Sequence, residues 1–358
     1  MLMQRKELNF EGQNVFIGID VHLKSWTVSI FTEKLFHKTF TQPPKVESLK
    51  KYLDVNFPNA NYYSVYEAGF SGFSAHYYLN EMGINNIVVN PADVPTTQKE
   101  HQQKDDPTDS KKLARSLRSG ELSSIHVPQI ATLEARSLVR VRSTLVKDMI
   151  RFKQRIKSFL YFHGINYPPE FEKSDSHWSR KFMLWLKDVK LRNAAGMDAL
   201  GVLIKEAEQQ RNLLLETTRK VQELAKSEIY SRDMKLLRSI PGIGPITAIT
   251  LLTELEDITR FENTDHLAGF VGLIPCRHSS GEKNKNGEMT FRGHEFIKRV
   301  IVESSWIAAR RDPTLNMAFH NYAKRMETNK AIIRIARKVM NRIYFVLTKK
   351  QEYVMGFV

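Results

Sequence analysis

Four carboxylates at separate positions of this chain could together bind a divalent metal ion. Asp20 follows the apolar run VFIGI, and Glu67 ends a second apolar run, YYSVYE. Asp106 and Asp109 lie three residues apart in KDDPTDSKKLARSL, which places both on one face at the start of a helix. Oxygen ligands favour magnesium, with manganese as the alternative, over zinc. We therefore expect these four acids to converge on one magnesium site.

Asp20 stands out because it interrupts an apolar strand. The run Val15–Phe31 is typical of a hairpin, with a turn at His22–Lys24 and a second β-rich segment from Trp26 onward. Burying a lone carboxylate costs free energy unless a hydrogen bond, an opposite charge or a metal ion compensates for it. His22 lies close to Asp20 and could contact a phosphate, but a histidine in a turn is more often only a turn residue.

A second candidate for chemistry lies in a polar, basic loop near the C-terminus. In the segment PCRHSSGEKNKNGEMTFRG, two serines precede Gly281. Most serines in this position form turns, so the residues by themselves do not assign a nucleophilic role to Ser280 or to its neighbour Ser279. The cations placed to hold phosphates beside this loop are Arg277, Lys283, Lys285 and Arg292.

Composition excludes several classes of protein. The 358 residues carry a formal net charge of +15, which favours a polyanionic partner, nucleic acid first and an anionic membrane surface second. The single cysteine, Cys276, excludes an internal disulfide framework and a multi-cysteine zinc site, and it indicates a reducing, cytoplasmic compartment. The sequence has no apolar run of about 18 residues and no signal-peptide core, so we expect no membrane span.

The first 128 residues alternate strand and helix patterns. Three antiparallel strands followed by strand, helix, strand and helix is the element order of the ribonuclease H fold, which places its acids around two metals. The segment from Asp93 to Pro107 is polar and indicates a loop. Beyond the hairpin, the predicted strands are Leu35–Phe40, Tyr62–Glu67 and Asn86–Val89, and the predicted helices are Val46–Leu53, Gly72–Met82 and Asp109–Ser119.

Two long helical patterns follow, and then a turn between apolar helices. Apolar residues recur at helical spacing over Ile130–His163 and again over Ala199–Tyr230. We predict a coiled-coil arm that mediates dimerisation, with ordinary helical-bundle packing as the alternative. The segment LLRSIPGIGPITAITLLTEL indicates a helix-hairpin-helix whose Gly242 and Gly244 let the backbone approach a phosphate. A tight turn between packed helices is the alternative.

The excess positive charge lies in the arm and in the C-terminal third. Between residues 131 and 165 there are eight Lys or Arg against two acids, and between 277 and 350 there are seventeen against six. This distribution suits an enzyme that delivers bound nucleic acid to a metal centre. We predict a ribonuclease H-like catalytic domain over residues 1–128, a helical arm over 129–232, and a mostly α C-terminal domain over 233–358 with the helix-hairpin-helix and the serine loop.

Taken in order, these motifs resemble the DEDD-type transposases of insertion-sequence family 110, which include the Piv-type DNA invertases. The N-terminal part of the resemblance is GIDVHLKSW, YEAGFSG and KDDPTDSKKLA; the C-terminal part is IPGIGPITAITLLTEL, FVGLIPCRHSSGEK and NKAIIRIARKVM. The chain departs from the family at Asp105, where threonine is usual, and so gains an acid beside the site. We assign the metal to Asp106 because only it has a partner, Asp109, three residues further on.

The resemblance implies more than the residues show by themselves. It implies a RuvC-like N-terminal domain and a nucleophilic serine, Ser280, in the C-terminal domain, with Ser279 as the rival position. It also implies that DNA is recombined at sites chosen by a noncoding bridge RNA. The expected assembly is a dimer that forms tetramers in the synaptic complex, with active sites shared between subunits. The expected location is the cytoplasm of a prokaryote, acting at the nucleoid.

Other functions stay open from the residues alone. A hydrolytic, structure-selective nuclease of the resolvase type would use water as the nucleophile and leave the serine structural. A non-catalytic nucleic-acid-binding scaffold would use the acids only as helix caps. An actin-like sugar kinase also opens with Gly-Ile-Asp, but its further phosphate-binding glycine loops are not evident and the charge does not suit it.

Overall fold

Apolar runs separated by turns build a five-stranded mixed sheet in the N-terminal part of this protein, as seen in a computed structural model. The strand order is β3-β2-β1-β4-β5. Strands β1 to β3 are antiparallel neighbours, whereas β4 pairs in parallel with both β1 and β5. The strands are Asn14–Val21 (β1), Trp26–Thr32 (β2), Phe36–Gln42 (β3), Asn61–Glu67 (β4) and Ile84–Val89 (β5).

The structure describes residues 9–97, 105–280, 283–290 and 292–356, and for 276–280 and 283–289 it describes the backbone alone. The chain divides into two compact units, residues 1–127 and 128–358. Among the described residues, no helix combines the length and the apolar character needed to cross a bilayer. The division of the chain into three functional domains stays a prediction.

In the part of the first unit that the structure describes, the α-helices are Val46–Asn56 (α1), Ser74–Glu81 (α2) and Asp106–Ser119 (α3). Strand residues such as Ile17 and Ile19 pack with Leu49, Leu53 and other side chains in one apolar core. A smaller apolar cluster joins Leu113 of α3 to residues of β4 and β5. A mixed five-stranded sheet with these helices fits the predicted ribonuclease H-like DEDD domain.

Helix α3 begins three residues earlier than the sequence predicts. Asp105 is extended and its carboxylate accepts a 2.7 Å hydrogen bond from the backbone N–H of Thr108, which caps the helix. Pro107 occupies the first turn, where its missing N–H costs nothing. Asp106 is therefore a helical residue and not part of the preceding loop, of which residues 98–104 lie outside the described part of the chain.

Gly18 lets helix α3 lie directly on strand β1. A Cβ atom at this position would come within 2.0 Å of the Ser110 carbonyl oxygen and 2.5 Å of the Ala114 backbone nitrogen. A larger residue would therefore push the helix away from the sheet. Beside this contact, the buried hydroxyls of Ser29 and Ser110 form a 2.9 Å hydrogen bond, which also fixes the helix against β2.

The second unit begins with a long helical hairpin, in which helix α4, Ile130–Phe162, packs antiparallel to helix α6, Ala194–Lys226. Ile156, near the end of α4, belongs to the same apolar cluster as Ile204, near the start of α6. Nearer the base of the hairpin, the Arg142 Nε atom donates to the hydroxyl of Thr218. The segment between the two long helices contains a short helix, Arg180–Asp188 (α5).

The second long helix differs from its predicted bounds, because Ser227 has an extended backbone and ends α6 before Tyr230. Tyr230 belongs to the next helix, Glu228–Arg238 (α7). A coiled coil between chains stays a prediction.

The remaining helices share one apolar core with an almost fully buried helix, Pro245–Leu255 (α8). Its apolar residues join those of the last helix in one large core, to which Val139 and Val221 at the base of the helical hairpin also belong. A two-stranded hairpin lies between two of these helices. The elements are Thr264–Val271 (α9), Pro275–Ser280 (β6), Lys283–Met289 (β7), Glu295–Arg311 (α10), Pro313–Ala323 (α11) and Thr328–Lys349 (α12).

Replacing Gly18 by alanine should loosen helix α3, because the new methyl group and the helix backbone cannot occupy the same space. Overpacking of this kind costs about 1–3 kcal/mol, so amide exchange in residues 106–119 should accelerate roughly tenfold or more. Hydrogen-exchange mass spectrometry of the full chain measures this. Gly69→Ala is the control, because a Cβ there meets nothing within 4 Å. Equal protection of α3 in both variants would show that the close contact is unimportant.

Candidate active site

Two neighbouring parallel strands deliver two of the predicted acids to the same edge of the sheet. Gly18 of β1 is in register with Val65 of β4, and Asp20 and Glu67 each lie two residues further along. Residues two apart in a strand share a face. Both carboxylates therefore lie on the face that α3 covers, at the carboxyl ends of β1 and β4.

The first turn of α3 delivers the other two acids. Ser110 of α3 lies over Gly18 of β1. Asp106 is one helical turn before Ser110, and Asp20 is two residues beyond Gly18, so Asp106 lies toward Asp20. The His22 Nε2 atom lies 3.2 Å from Asp20 Oδ2 and 3.6 Å from Asp106 Oδ2. One ligand atom from each of these three residues lies within 4.8 Å of the others. The grouping is compact enough for a single cation.

The electrostatics of Asp20 favour a bound cation. Burial raises its pKa first of all; the charge and the hydrogen bond of His22 lower it, and the charges of Asp106 and Asp109 raise it again. The net effect is a raised pKa, because the neighbouring negative charges and the desolvation are only partly compensated. A positive ion among these groups would remove the mutual repulsion.

Glu67 and Asp109 have a different positive partner, Lys112. Its Nζ atom lies 3.2 Å from Asp109 Oδ1 and 3.8 Å from Glu67 Oε1, and only 8% of the side chain is exposed. Lys112 is one turn beyond Asp109 on the same helical face. The structure thus brings all four predicted acids to one place, in two pairs: one beside His22 and one around Lys112.

Sequence reasoning did not identify Lys112, and it favoured a turn role for His22. The spacing of three residues between Asp109 and Lys112 was a usable signal, because such pairs meet on a helix. His22 was harder to assign, because its contact with Asp106 depends on the packing of α3 against β1. Asp105, the extra acid, caps α3, and its hydrogen bonds with Thr108 lower its pKa.

The segment that contains the predicted nucleophile forms a β-hairpin and not the loop that we expected, because its backbone groups pair in an antiparallel ladder. Ser280 is paired with Lys283, and Ser279 with Asn284. Gly281 at the turn lies outside the described residues. The side chains of Ser279, Ser280, Arg277, Lys283 and Lys285 also lie outside the description, so their roles stay predictions. Arg292 follows the hairpin and is exposed.

A buried carboxylate, Glu254 of α8, anchors the chain where it leaves this hairpin. Its oxygens accept hydrogen bonds of 2.7 and 2.8 Å from Arg140, and they lie 3.3 Å from Arg136 Nε and 3.1 Å from His294 Nε2. His294 Nδ1 in turn accepts the N–H of Ile297 at the start of α10. Because Arg140, Arg136 and His294 surround its carboxylate, Glu254 links α4, α8 and the first turn of α10.

The pKa of Glu254 reflects this compensation. Burial would raise the pKa, but hydrogen bonds from His294 and Arg140 and the charges of Arg140 and Arg136 lower it to about 2. No local pattern in the sequence pointed to this residue, because it stands near the end of an apolar helix. Its nearest partner along the chain, His294, is 40 residues away.

The two glycines of the predicted helix-hairpin-helix have different surroundings. Gly242 has φ +92°, and a Cβ there would lie 2.4 Å from the Ser304 carbonyl oxygen, so close packing against α10 accounts for this glycine. A Cβ at Gly244, which caps α8, would meet nothing within 4 Å. Phosphate contact by either residue stays a prediction.

Both glycines border a cleft of about 430 Å³ between α4, α8 and α10. Among the described residues that line it, Arg142, Lys147 and Arg299 are cationic and Glu303 is acidic. The Arg299 guanidinium donates a 3.3 Å hydrogen bond to the hydroxyl of Ser143 across the cleft. The cleft thus has a net positive wall, which suits a polyanion.

Acidification should weaken the second unit through Glu254. Its depressed pKa contributes stability that is complete above about pH 4.5 and is lost as the pH falls toward 2, for a total of about 3 kcal/mol. Glu254→Gln should remove this part of the pH dependence. Hydrogen exchange of residues 294–311 at pH 5 and pH 3, converted to opening free energies, measures it. Glu295→Gln, an exposed neighbour, is the control; equal pH slopes in both variants would contradict the assignment.

Two family models match the chain. The first covers mainly the first unit, and the second lies within the second unit. The model of the DEDD transposase of IS110 elements matches residues 17–164, a stretch that contains all four acids. The model described as the transposase IS116/IS110/IS902 family matches residues 234–320, which include α8, the β-hairpin and α10. Together the two matches cover about two thirds of the chain.

Several named relatives are similar over long stretches. The transposase for insertion sequence element IS1533 of Leptospira borgpetersenii is 25% identical over 299 residues, 82% of this chain and 85% of the relative. The Sinorhizobium fredii protein y4qE, named as a candidate transposase, is 28% identical over 244 residues, 68% of this chain and 58% of the relative. The pilin gene-inverting protein of Moraxella bovis is 32% identical over 125 residues, 33% of this chain and 38% of that protein.

Proposed function

Because the chain belongs to the IS110 family of transposases, we propose that it recombines DNA by metal-dependent strand cleavage and transfer, with a serine as the nucleophile. The observation that carries this proposal is the convergence of Asp20, Glu67, Asp106 and Asp109 where β1, β4 and α3 meet. The matches in both units support a protein that combines this acidic centre with the serine hairpin.

The donor set at Asp20 and Asp106 fits a hard divalent cation, magnesium or manganese, because both residues offer carboxylate oxygens. When bound, such an ion neutralises the charge on a scissile phosphate and stabilises the transition state. His22 holds the Asp20 carboxylate by a 3.2 Å hydrogen bond and so orients it toward Asp106. The rigid contact at Gly18 keeps this arrangement in place before DNA binds.

The serine step conserves bond energy. The Ser280 hydroxyl oxygen attacks the phosphorus of a DNA strand and forms a phosphoserine ester, while the bond from phosphorus to one deoxyribose oxygen breaks. The hydroxyl proton passes to that leaving oxygen, which becomes a free strand end. A strand-end hydroxyl then attacks the phosphoserine, restores a DNA phosphodiester and regenerates Ser280. No ATP is needed, since each new ester bond replaces an equivalent one.

Nucleic acid is held mainly by the second unit. The cleft bordered by Gly242 and Gly244 offers Arg142, Lys147 and Arg299 to phosphates. Beside the serine hairpin, we assign the same role to Arg277, Lys283, Lys285 and Arg292, which supply part of the excess positive charge of this region.

We further propose a homodimer that forms tetramers on DNA, and a structured bridge RNA as guide. The helical hairpin favours such an assembly, because Val141, Ile150 and Val202 on its long helices are about half or more exposed. The guide RNA rests on the family and on the basic character of the arm. A hydrolytic, structure-selective nuclease is the alternative function, since the acidic centre alone would suffice for it.

Neutralising any of the four acids should abolish strand transfer. Asp20→Asn, Glu67→Gln, Asp106→Asn and Asp109→Asn each remove a charge from the metal centre, so we expect a loss of at least about 100-fold with nucleic-acid binding nearly intact. A strand-transfer assay with magnesium, beside a gel-shift assay, measures both. Glu81→Gln, an exposed acid on α2, is the control. Normal transfer by one of the four variants would remove that residue from the centre.

The serine step predicts a covalent intermediate. Wild-type protein incubated with a nicked substrate should give a protein–DNA adduct that survives denaturation, and Ser280→Ala should lose it while keeping DNA binding. Ser279→Ala is the matched control and should keep the adduct. If only Ser279→Ala loses the adduct, the nucleophile is Ser279. Cleaved DNA with free ends and no adduct in the wild type would favour the hydrolytic nuclease.

Removal of RNA separates guidance from general affinity. Ribonuclease treatment of the purified complex should abolish site-specific recombination but leave weak DNA binding, because lysine and arginine contacts to phosphates do not depend on the guide. That residual binding should fall about 1,000-fold or more between roughly 50 and 200 mM salt. Unchanged site specificity after complete RNA removal would rule out guidance, and salt-independent binding would rule out the electrostatic account.

A further inference from the structure

The most unusual side chain in the acidic centre is a lysine. Lys112 is on the buried face of α3, where 8% of its side chain is exposed. A lysine on a helix normally extends its ammonium group into water, and burying it costs free energy unless it is paired. Lys112 is paired with two carboxylates at once, Asp109 at 3.2 Å and Glu67 at 3.8 Å. Its position is therefore set by these acids.

The four acids define two positions for positive charge. The first lies among Asp20, His22 and Asp106, whose ligand atoms are within 4.8 Å of one another. The second lies between Glu67 and Asp109 and is taken by the Lys112 ammonium. Both positions lie at the carboxyl ends of the neighbouring strands β1 and β4, beside the first turn of α3. A two-metal centre likewise needs two positions for positive charge that share their acids.

We propose that the Lys112 ammonium takes the place of a second divalent cation, so that the centre binds one metal ion, at Asp20 and Asp106. This inference rests on the proposed function. Oxygen ligands of magnesium lie about 2.0–2.1 Å from the ion, so a metal ion bound between Glu67 and Asp109 would need the ammonium group to leave. If it left, the buried ammonium would lose both partners, which opposes the exchange.

The arrangement gives the lysine a definite part in the reaction. With a metal ion held at Asp20 and Asp106, the Lys112 ammonium would supply a second positive charge to the oxygens of a bound phosphate. Lys112 also holds Glu67 and Asp109 in place when no metal is bound, so the centre is formed in advance. Glu67 and Asp109 thus contact the lysine, whereas Asp20 and Asp106 contact the metal ion directly.

Metal stoichiometry tests this inference without an activity assay. Manganese is titrated into the full-length protein by isothermal titration calorimetry, and the bound ion is examined by electron paramagnetic resonance. The wild type should bind one Mn²⁺ with a mononuclear spectrum. Lys112→Met should bind two, with the spin-coupled spectrum of a neighbouring pair, because the ammonium group no longer occupies the position between Glu67 and Asp109.

Two further variants serve as controls. Lys112→Arg keeps the positive charge and should bind one ion. Lys111→Met should also bind one, because Lys111 lies over the ring of Phe36 and away from the acids. Two coupled ions in the wild type, which is read without any variant, would overturn the inference, and so would a single ion in a folded Lys112→Met protein. No bound Mn²⁺ in the wild type would overturn the proposed metal centre itself.

Discussion

The close contact between Gly18 and helix α3 is the constraint on which the acidic centre depends. The Ser110 carbonyl oxygen and the Ala114 nitrogen occupy the space that a side chain at position 18 would need. Because the helix lies against the strand here, its first turn reaches the carboxyl ends of β1 and β4. If α3 were displaced from the sheet by the thickness of a side chain, Asp106 would no longer lie beside Asp20. The acids of the helix would then be separated from those of the strands.

The two units differ in how far the fold compensates the charge of a carboxylate. Glu254 is surrounded by Arg136, Arg140 and His294, and its pKa falls to about 2, so its charge is satisfied within the fold. Asp20 has acids as well as His22 for neighbours, and its pKa is raised. Partly compensated charge at Asp20 favours a cation from solution, whereas compensated charge at Glu254 fixes α4, α8 and the start of α10, the helix that follows the serine hairpin. Chemistry is expected where the fold leaves a charge only partly compensated.

Much of the acidic centre could be predicted from sequence, because local patterns carry it. Apolar runs predicted the strands that carry Asp20 and Glu67, and the spacing of three predicted that Asp106 and Asp109 share a helix. The spacing of three between Asp109 and Lys112 also indicated that these two side chains could meet. The burial of Lys112 and its contact with Glu67 could not be predicted, since they depend on the packing of α3 against the sheet.

The second unit was harder to predict from sequence. The serine segment has the polar, glycine-bounded composition of a loop, and its strand pairing is a property of the backbone that composition does not reveal. The end of α6 at Ser227 also escaped prediction, because the apolar spacing continues past it into α7. The Glu254 network joins residues far apart in the chain, so no local pattern could indicate it.

The central claim is that the acids assembled by β1, β4 and α3 hold a catalytic metal ion. Anomalous diffraction from crystals of the protein soaked in manganese tests it most directly, because the signal locates the ion independently of any assay. The account predicts a peak within coordination distance, about 2.0–2.3 Å, of carboxylate oxygens of Asp20 and Asp106. A soaked crystal with no peak at these residues, or with its peak only at other acids, would contradict the account.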